Sequence, residues 1–357
     1  MKVLLVGPLL FPIHGQSLAF TRFVDSFDTN EKTVINTNAE GLPLVLKLLT
    51  NFKNLAQILW FTSFYRFDVV YFTCSRSILG SFKDVFLIYL ASKKNVRIIN
   101  HLHGSDFYEF LHDVPKLYRK ILFSAYSKVG VSIVLLERMK EQFKDFDNMQ
   151  IEVIPNFYDK EMDADFIEIK SDVKKIVYLS NVMASKGIFE LISAFKELSE
   201  SYNSIKLTIA GDFISDQNMN YEQVKSKFFS EVHSSENINY VGKVYGEEKV
   251  KLLQNSDIFI LPSYYVSEAF PISILEAMAC KNAIITTNHK YLPDVVTEEN
   301  GLLAEPKSAA SLSKCIKDLL DNFELLETMK KNNRLHAREK YSLEKYLFRL
   351  KALIKIK

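Results

Sequence analysis

Along this chain, short runs of β-branched and apolar residues alternate with longer stretches whose apolar positions recur at helical spacing. Strand-like runs occupy residues 3–6, 33–36, 68–72, 96–100, 128–131 and 152–154, with helical spacing over 17–26, 48–64, 80–91 and 133–143. The alternation starts again with strand-like runs at 175–179, 206–210, 238–241, 258–261 and 283–286, and helical stretches at 187–198, 247–254, 272–279 and 309–322. Strands that are apolar throughout and separated by helices predict parallel sheets covered on both faces. Residues 156–174 lose the periodicity and carry many charges, as a connecting segment would. The expected architecture is α/β: two doubly wound, Rossmann-like parallel-sheet domains facing a cleft, residues 1–158 and 159–340. Beyond them Leu343, Tyr346, Leu347, Leu350, Leu353 and Ile354 fall at helical spacing behind Ser342, so 341–357 reads as a terminal helix. In open parallel sheets ligands sit beyond the carboxyl ends of the strands, which is where functional residues are sought.

A chain of 357 residues suits two domains, and 48% apolar with 25% charged residues excludes a disordered one. A net charge of +2 excludes a protein that grips nucleic acid through an overall basic field. Residues 1–150 hold 18 Lys/Arg against 13 Asp/Glu, an excess so small that it usually means only surface chemistry, though it favours this half over the other as the side to meet an anion. Cys74, Cys280 and Cys315 form neither a disulfide framework nor a zinc motif, and a reducing, cytoplasmic compartment fits them. No run reaches the ~18 apolar residues needed to cross a bilayer. Residues 1–7 lack a weighty basic region and a cleavage site, so they read as a buried first strand rather than a signal segment.

Three loops behind predicted strands carry candidate chemistry. The first, residues 7–17, brings Gly15 to a helix start, where N–H groups and the helix dipole can meet an anion; a plain turn explains it equally well. It lacks the GxGxxG fingerprint, which argues against a dinucleotide enzyme. The second sets His101 and His103 about the end of a strand, followed by Gly104 and Asp106. With no third ligand in view for a metal, contact with a polar substrate is the functional reading and a solvated histidine the bland one. The third, residues 261–279, contains Glu268 and Glu276. Pro271 is expected in the first helical turn, with Glu268 just ahead of the helix and Glu276 in its second turn among Ile, Leu, Ala and Met. A carboxylate there needs partners, because bare burial would cost on the order of several kcal/mol.

Glu268-x7-Glu276 followed by Ala277-Met278-Ala279 resembles the signature of retaining nucleotide-sugar glycosyltransferases of the GT-B fold, specifically glycosyltransferase family four. The likeness runs in order over nearly the whole chain. It takes in the Gly15 loop, His103-Gly104-Ser105-Asp106, Val153-Ile154-Pro155-Asn156, Lys186-Gly187, Ala210-Gly211-Asp212, Asn255-Ser256-Asp257 and Asn300-Gly301. The resemblance implies that Glu276 binds the ribose hydroxyls of a nucleotide and Glu268 the donor sugar. Ala269, Phe270, Ile272 and Ser273 then face the sugar and diphosphate through their backbone, beside Pro271, which has no N–H. Gly15 and Val244 complete the implied donor site. Lys186 neutralises the leaving diphosphate, while Asn181 stands where the family commonly has arginine and donates only a neutral hydrogen bond. His103 holds the sugar or its transition state, so His103, Lys186 and Glu268 form the implied catalytic set. No metal and no cofactor are expected. The implied partners are a nucleotide-sugar donor, UDP-linked by family frequency, and a saccharide or lipid-linked saccharide acceptor, as in cell-surface polysaccharide assembly. In proteins resembling this one, the last helix crosses back onto the N-terminal domain.

Other readings stay open. A nucleotide-sugar epimerase would need further acid–base carboxylates, and a sugar phosphorylase a much longer chain or a lysine-bound cofactor. A catalytically inactive sugar-nucleotide-binding subunit is kept open by Asn181. On the acceptor side, segment 42–67 puts Leu48, Phe52, Leu55 and Leu59 on one helical face and Lys47, Asn54 and Gln57 on another. The bland reading packs both faces inside the domain. The sharper one makes Lys53, Trp60, Phe64 and Arg66 a patch for the inner face of an anionic membrane.

Overall fold

The computed structural model describes residues 1–10, 14–39, 41–164, 173–233 and 235–355; parts of the Gly15 loop (11–13) and of the expected linker (165–172) lie outside them. The chain divides into two compact units, Met1–Asn156 with Glu344–Lys357, and Phe157–Leu343.

In the first unit, β1 (Val3–Gly7), β2 (Lys32–Asn36), β3 (Val69–Thr73), β4 (Arg97–His101), β5 (Val131–Val134) and β6 (Gln150–Val153) form one parallel sheet in the order β2-β1-β3-β4-β5-β6. Every residue of β1 and β3 is buried, which is why their sequences are apolar without alternation. The helices are α1 (Gly15–Asp25), α2 (Leu44–Phe64), α3 (Ile78–Ser92), α4 (Phe107–Asp113) and α5 (Lys116–Tyr126). Strand order reverses after β1, so right-handed crossovers put α1 on one face and α2, α3, α4 and α5 on the other.

Two expectations need correction here. The strand expected at 128–131 begins only at Val131, because Ser127, Lys128 and Val129 turn back to donate to carbonyls of α5. The helix expected at 133–143 does not form as such. Ile133 and Val134 complete β5, and a 3₁₀ segment, Glu137–Phe143, follows. An unbroken apolar run such as 133–136 fits a buried strand or a helix equally by periodicity, and the sheet's backbone hydrogen bonds decide.

The second unit repeats the plan with β7 (Lys174–Leu179), β8 (Ile205–Ala210), β9 (Ile238–Gly242), β10 (Ile258–Leu261), β11 (Ala283–Thr287) and β12 (Gly301–Ala304), all parallel, in the order β12-β11-β10-β7-β8-β9. Its helices are α6 (Ile188–Ser199), α7 (Tyr221–Val232), α8 (Gly246–Gln254), α9 (Ile272–Ala279), α10 (Ala309–Asp321) and α11 (Phe323–Lys340). The final helix, α12 (Leu343–Lys355), returns to the first unit. There it buries Tyr346, Leu350, Leu353 and Ile354, and the Arg97 guanidinium donates to the Leu353 carbonyl at 2.7 Å.

Candidate functional site

Neighbouring strands whose connections run in opposite directions leave a crevice at their carboxyl ends. In the second unit those strands are β7 and β10, and the loops after them carry Lys186 and Glu268. The β7 loop ends in a 3₁₀ turn, Ala184–Lys186, stopped by Gly187 at φ 74°. A side chain at Gly187 would be strained and would strike the Pro262 carbonyl, so the pairing of lysine with glycine is steric as well as chemical. Asp216 accepts the Ser185 N–H at 2.6 Å and fixes the turn from the β8 side. The Lys186 ammonium then reaches Glu268 at 2.6 Å, with the Tyr265 ring 5.3 Å away. Glu268 is 6% exposed and accepts a second bond, from the Ser263 hydroxyl, at 2.5 Å.

Three residues on, Pro271 is the N-cap of α9, one place ahead of the first helical turn where it was expected. The φ that suits proline to a first turn also suits the cap; its ψ of 124° keeps it out of the helix. No side chain caps α9, and helix geometry gives its first N–H groups no intrahelical acceptor. This end of the dipole favours negative charge. Ala269, Phe270 and Ile272 are buried around it, and Pro271 and Ser273 are half-buried. Glu276 sits in the second turn, 3% exposed, and is held by Lys249 of α8 at 2.5 Å. Burial pushes its carboxyl above the ordinary range, Lys249 pulls it down, and Asp159 and Glu161 push it up again. Val244 lies half-buried on the loop leading into α8. Asn181 is half-buried; its carbonyl accepts the Tyr178 hydroxyl at 2.7 Å.

In the first unit the corresponding strands are β1 and β3. His14 caps α1, so Gly15 is the first helical residue rather than part of the loop. Arg76, behind β3, pairs with Asp106 across the turn at Gly104, where any side chain would collide with the guanidinium. His101 ends β4 and shares a hydrogen bond with the Tyr71 hydroxyl at 2.7 Å. The His103 ring packs at a tilt against His101 with centroids 4.0 Å apart, and neither of its buried nitrogens has a hydrogen-bond partner. Burial, then the nearby Arg76 and His14, lower its pKa to about 3. His103 is neutral at physiological pH.

Residues 159–336 match the family model described as glycosyl transferases group 1. Glu268, Glu276, Lys186 and the whole second sheet fall inside the match. The chain belongs to the group 1 glycosyltransferases. A capsular polysaccharide biosynthesis glycosyltransferase of Staphylococcus aureus, CapM, is 27% identical over 183 residues, which are 51% of this chain and 46% of that one. The N,N'-diacetylbacillosaminyl-diphospho-undecaprenol alpha-1,3-N-acetylgalactosaminyltransferase of Campylobacter jejuni is 40% identical over 96 residues, 27% of this chain and 24% of that one. The chain thus spans about half, or less, of the length of the first curated relatives it matches. The solved structure of Anabaena HepE in complex with UDP superposes over 99% of each chain with a TM-score of 0.75 at 14% identity. That likeness establishes the fold, which is GT-B.

For this group 1 glycosyltransferase the structure joins Lys186 to Glu268 and sets Glu276 in the helix that follows Glu268, while His103 and Gly15 belong to the other unit. It also adds residues that sequence reasoning missed. Lys249 has no motif around it, and only the fold brings α8 to α9. Ser263 lay in plain view two residues behind β10, and Arg76 three behind β3, both at strand ends where ligands are expected. Two Asp-x-Asp triplets occur, at 145–147 and 163–165. Asp145 bonds His112 at 2.8 Å and Asp163 bonds Arg338 at 3.0 Å, while Asp165 lies outside the described residues.

Proposed function

We propose that this protein is a retaining glycosyltransferase that moves a hexosyl or N-acetylhexosaminyl group from a nucleotide-diphosphate sugar, UDP-linked by preference, to a saccharide or lipid-linked saccharide acceptor. The observation that carries the reading is the buried Lys186–Glu268 pair, set at a sheet's switch point beside the uncapped start of α9. Such a pair is a charge-balanced placeholder. A donor diphosphate can take the place of Glu268 at the Lys186 ammonium, and the released carboxylate then accepts hydroxyls of the sugar. Glu276 accepts the ribose hydroxyls. As the anomeric bond breaks, charge grows on the leaving phosphate, where Lys186 and the α9 dipole already point. The acceptor oxygen bonds to the anomeric carbon on the face the phosphate leaves, and the departing phosphate takes its proton. Neutral His103 offers one donor and one acceptor nitrogen to a sugar. A diphospho-undecaprenol in the name of the Campylobacter relative, and UDP in the HepE structure, favour the lipid-linked acceptor and the UDP donor. Three free cysteines, all buried, suit a cytoplasmic location.

Nucleotide release across a panel of nucleotide sugars, with and without saccharide and lipid-linked acceptors, tests this. One donor should release nucleotide, faster with acceptor and unaffected by EDTA. Donor binding without release would make the protein an inactive binding subunit, and interconversion of the sugar without release an epimerase.

A further inference from the structure

Helix α2 is built inside out. Of its 21 residues only Asn54, Ile58 and Thr62 are buried, and the ten from Leu44 to Lys53 are all exposed or half-buried. Its exposed side chains include Leu44, Leu48, Leu49, Leu59 and Trp60, with Phe52 at 76% and Phe64 at 70% exposure. The bland expectation that both faces of this segment pack inside is therefore overturned: the inward face took Asn54, Ile58 and Thr62, and most of the leucines and phenylalanines face outward. The neighbouring helices of the same layer extend the surface. On α3, which packs on α2, Ile78 and Phe82 are exposed; on α5, which packs on α3, Leu117 is 75% exposed and Ile121 is exposed too. An apolar face this large is uncommon on a protein that lives alone in water, and it marks a docking surface.

The charge pattern chooses the occupant. Between Glu40 and Asp68 there is no acidic residue, and α5 has none either. Lys53, Arg66, Lys116 and Lys120 are exposed around the apolar side chains. At the C-terminal end of α2, the Trp60 ring packs at a tilt against Phe64, centroids 4.5 Å apart, and Phe61 against Tyr65 at 5.6 Å. Leucines bordered by lysine and arginine, with tryptophan and tyrosine at one end, match the headgroup region of an anionic bilayer. Among the described residues no helix is long and apolar enough to cross a membrane, so α2 would lie in the interface rather than span. We propose that the outer faces of α2, α3 and α5 dock this unit on the surface of an anionic membrane. The surface does not depend on sugar-transfer chemistry, and binding is measured without donor.

Trp60 is the only tryptophan, so its fluorescence reports on α2 directly. With vesicles of phosphatidylcholine and phosphatidylglycerol at low salt, emission should shift to the blue, lipids brominated in the acyl chain should quench it, and the protein should sediment with the vesicles. Phosphatidylcholine alone, or high salt, should weaken binding. Lys53→Glu with Arg66→Glu, or Phe52→Ser with Phe64→Ser, should each weaken binding at least about tenfold while melting behaviour stays unchanged, because all four residues are exposed. Unshifted, unquenched Trp60 with anionic vesicles at low salt would overturn the proposal. So would a blue shift that grows with protein concentration in the absence of lipid, which would give the face to a second copy of the chain.

Discussion

In the second unit each carboxylate of the site is matched: Glu268 has Lys186 and Ser263, and Glu276 has Lys249. In the first unit the His103 nitrogens are buried with no partner, and His101 keeps one nitrogen unpaired. The two sheets have the same winding and the same kind of switch point, yet opposite polar accounts. A carboxylate cannot stay charged under burial without a cation, so the second unit carries its own counter-ions until a ligand displaces them. An imidazole can shed its proton and remain neutral, so the first unit leaves hydrogen bonds unmade that a sugar hydroxyl could complete. The units also differ in what holds them. The second ends with its own helices, whereas the first borrows α12 from the far end of the chain.

Borrowing gives the largest expected effect. Ending the chain after Ser342 removes buried Tyr346, Leu350, Leu353 and Ile354, at about 1.5–3 kcal/mol apiece, a loss comparable with the whole stability of a domain. The cut spares Tyr341, whose ring packs against Phe270 in the second unit. Calorimetry should show the first unit's transition lost and the second's retained. Two intact transitions would mean that α12 is dispensable. Next in size is Lys186→Ala, expected to lower turnover 10²–10³-fold, roughly, if the lysine meets the leaving phosphate. It also strands Glu268, so stability should fall by about 3 kcal/mol. Lys186→Ala with Glu268→Gln should recover most of that stability and none of the turnover; an unchanged rate in the single variant would make the pair purely structural.

The ease of reading differed along the same divide. Glu268 and Glu276 were legible because one sits just ahead of a helix start and the other in its second turn, and spacing is what a sequence displays; Lys186 came only with the family resemblance. Their partners were not: Lys249 meets Glu276 only because α8 packs beside α9, a contact between residues far apart in the chain. The α9 boundaries came out right, Ile272–Ala279, because Pro271 and the apolar run mark them. Helices α4, α5, α7 and α11 and strand β12 did not stand out. α7 and α11 are mostly polar and bury few residues, and β12 is a four-residue edge strand with only two leucines between Gly301 and Ala304. The orientation of α2 was illegible for another reason. Periodicity gives the faces of a helix, but by default it assigns the apolar one inward.

A third test bears on the second unit alone. Glu276→Gln keeps the shape but cannot accept from two ribose hydroxyls as a carboxylate does, and it leaves Lys249 without its counter-ion. Donor affinity by titration calorimetry should fall about tenfold, the loss of one charged hydrogen bond. Equal affinity would remove Glu276 from the ribose and leave the helix dipole to hold the nucleotide.

The smallest effect comes from the unpaired His103, and its sign follows from which state takes the proton. An unfolded histidine titrates near pH 6.5, whereas folded His103 does so near 3. Between those values the unfolded chain holds a proton that the folded one does not, so acid favours unfolding. The stability contributed by neutral His103 is complete above about pH 6.5 and is lost progressively as pH falls toward 3, by roughly 1.4 kcal/mol per pH unit at most. Carboxylates protonate in the same range, so the informative quantity is a difference. His103→Phe keeps a ring against His101 and removes the titration. The gap between the two proteins' stabilities should therefore narrow by about 1 kcal/mol between pH 7 and pH 5.5 in the variant's favour. His101 is still present in the variant and, being held neutral by burial, keeps both curves sloping in acid. Parallel pH profiles would show that His103 takes up its proton in the folded state after all, and the contrast between paired carboxylates in one unit and an unpaired imidazole in the other would fail at its centre.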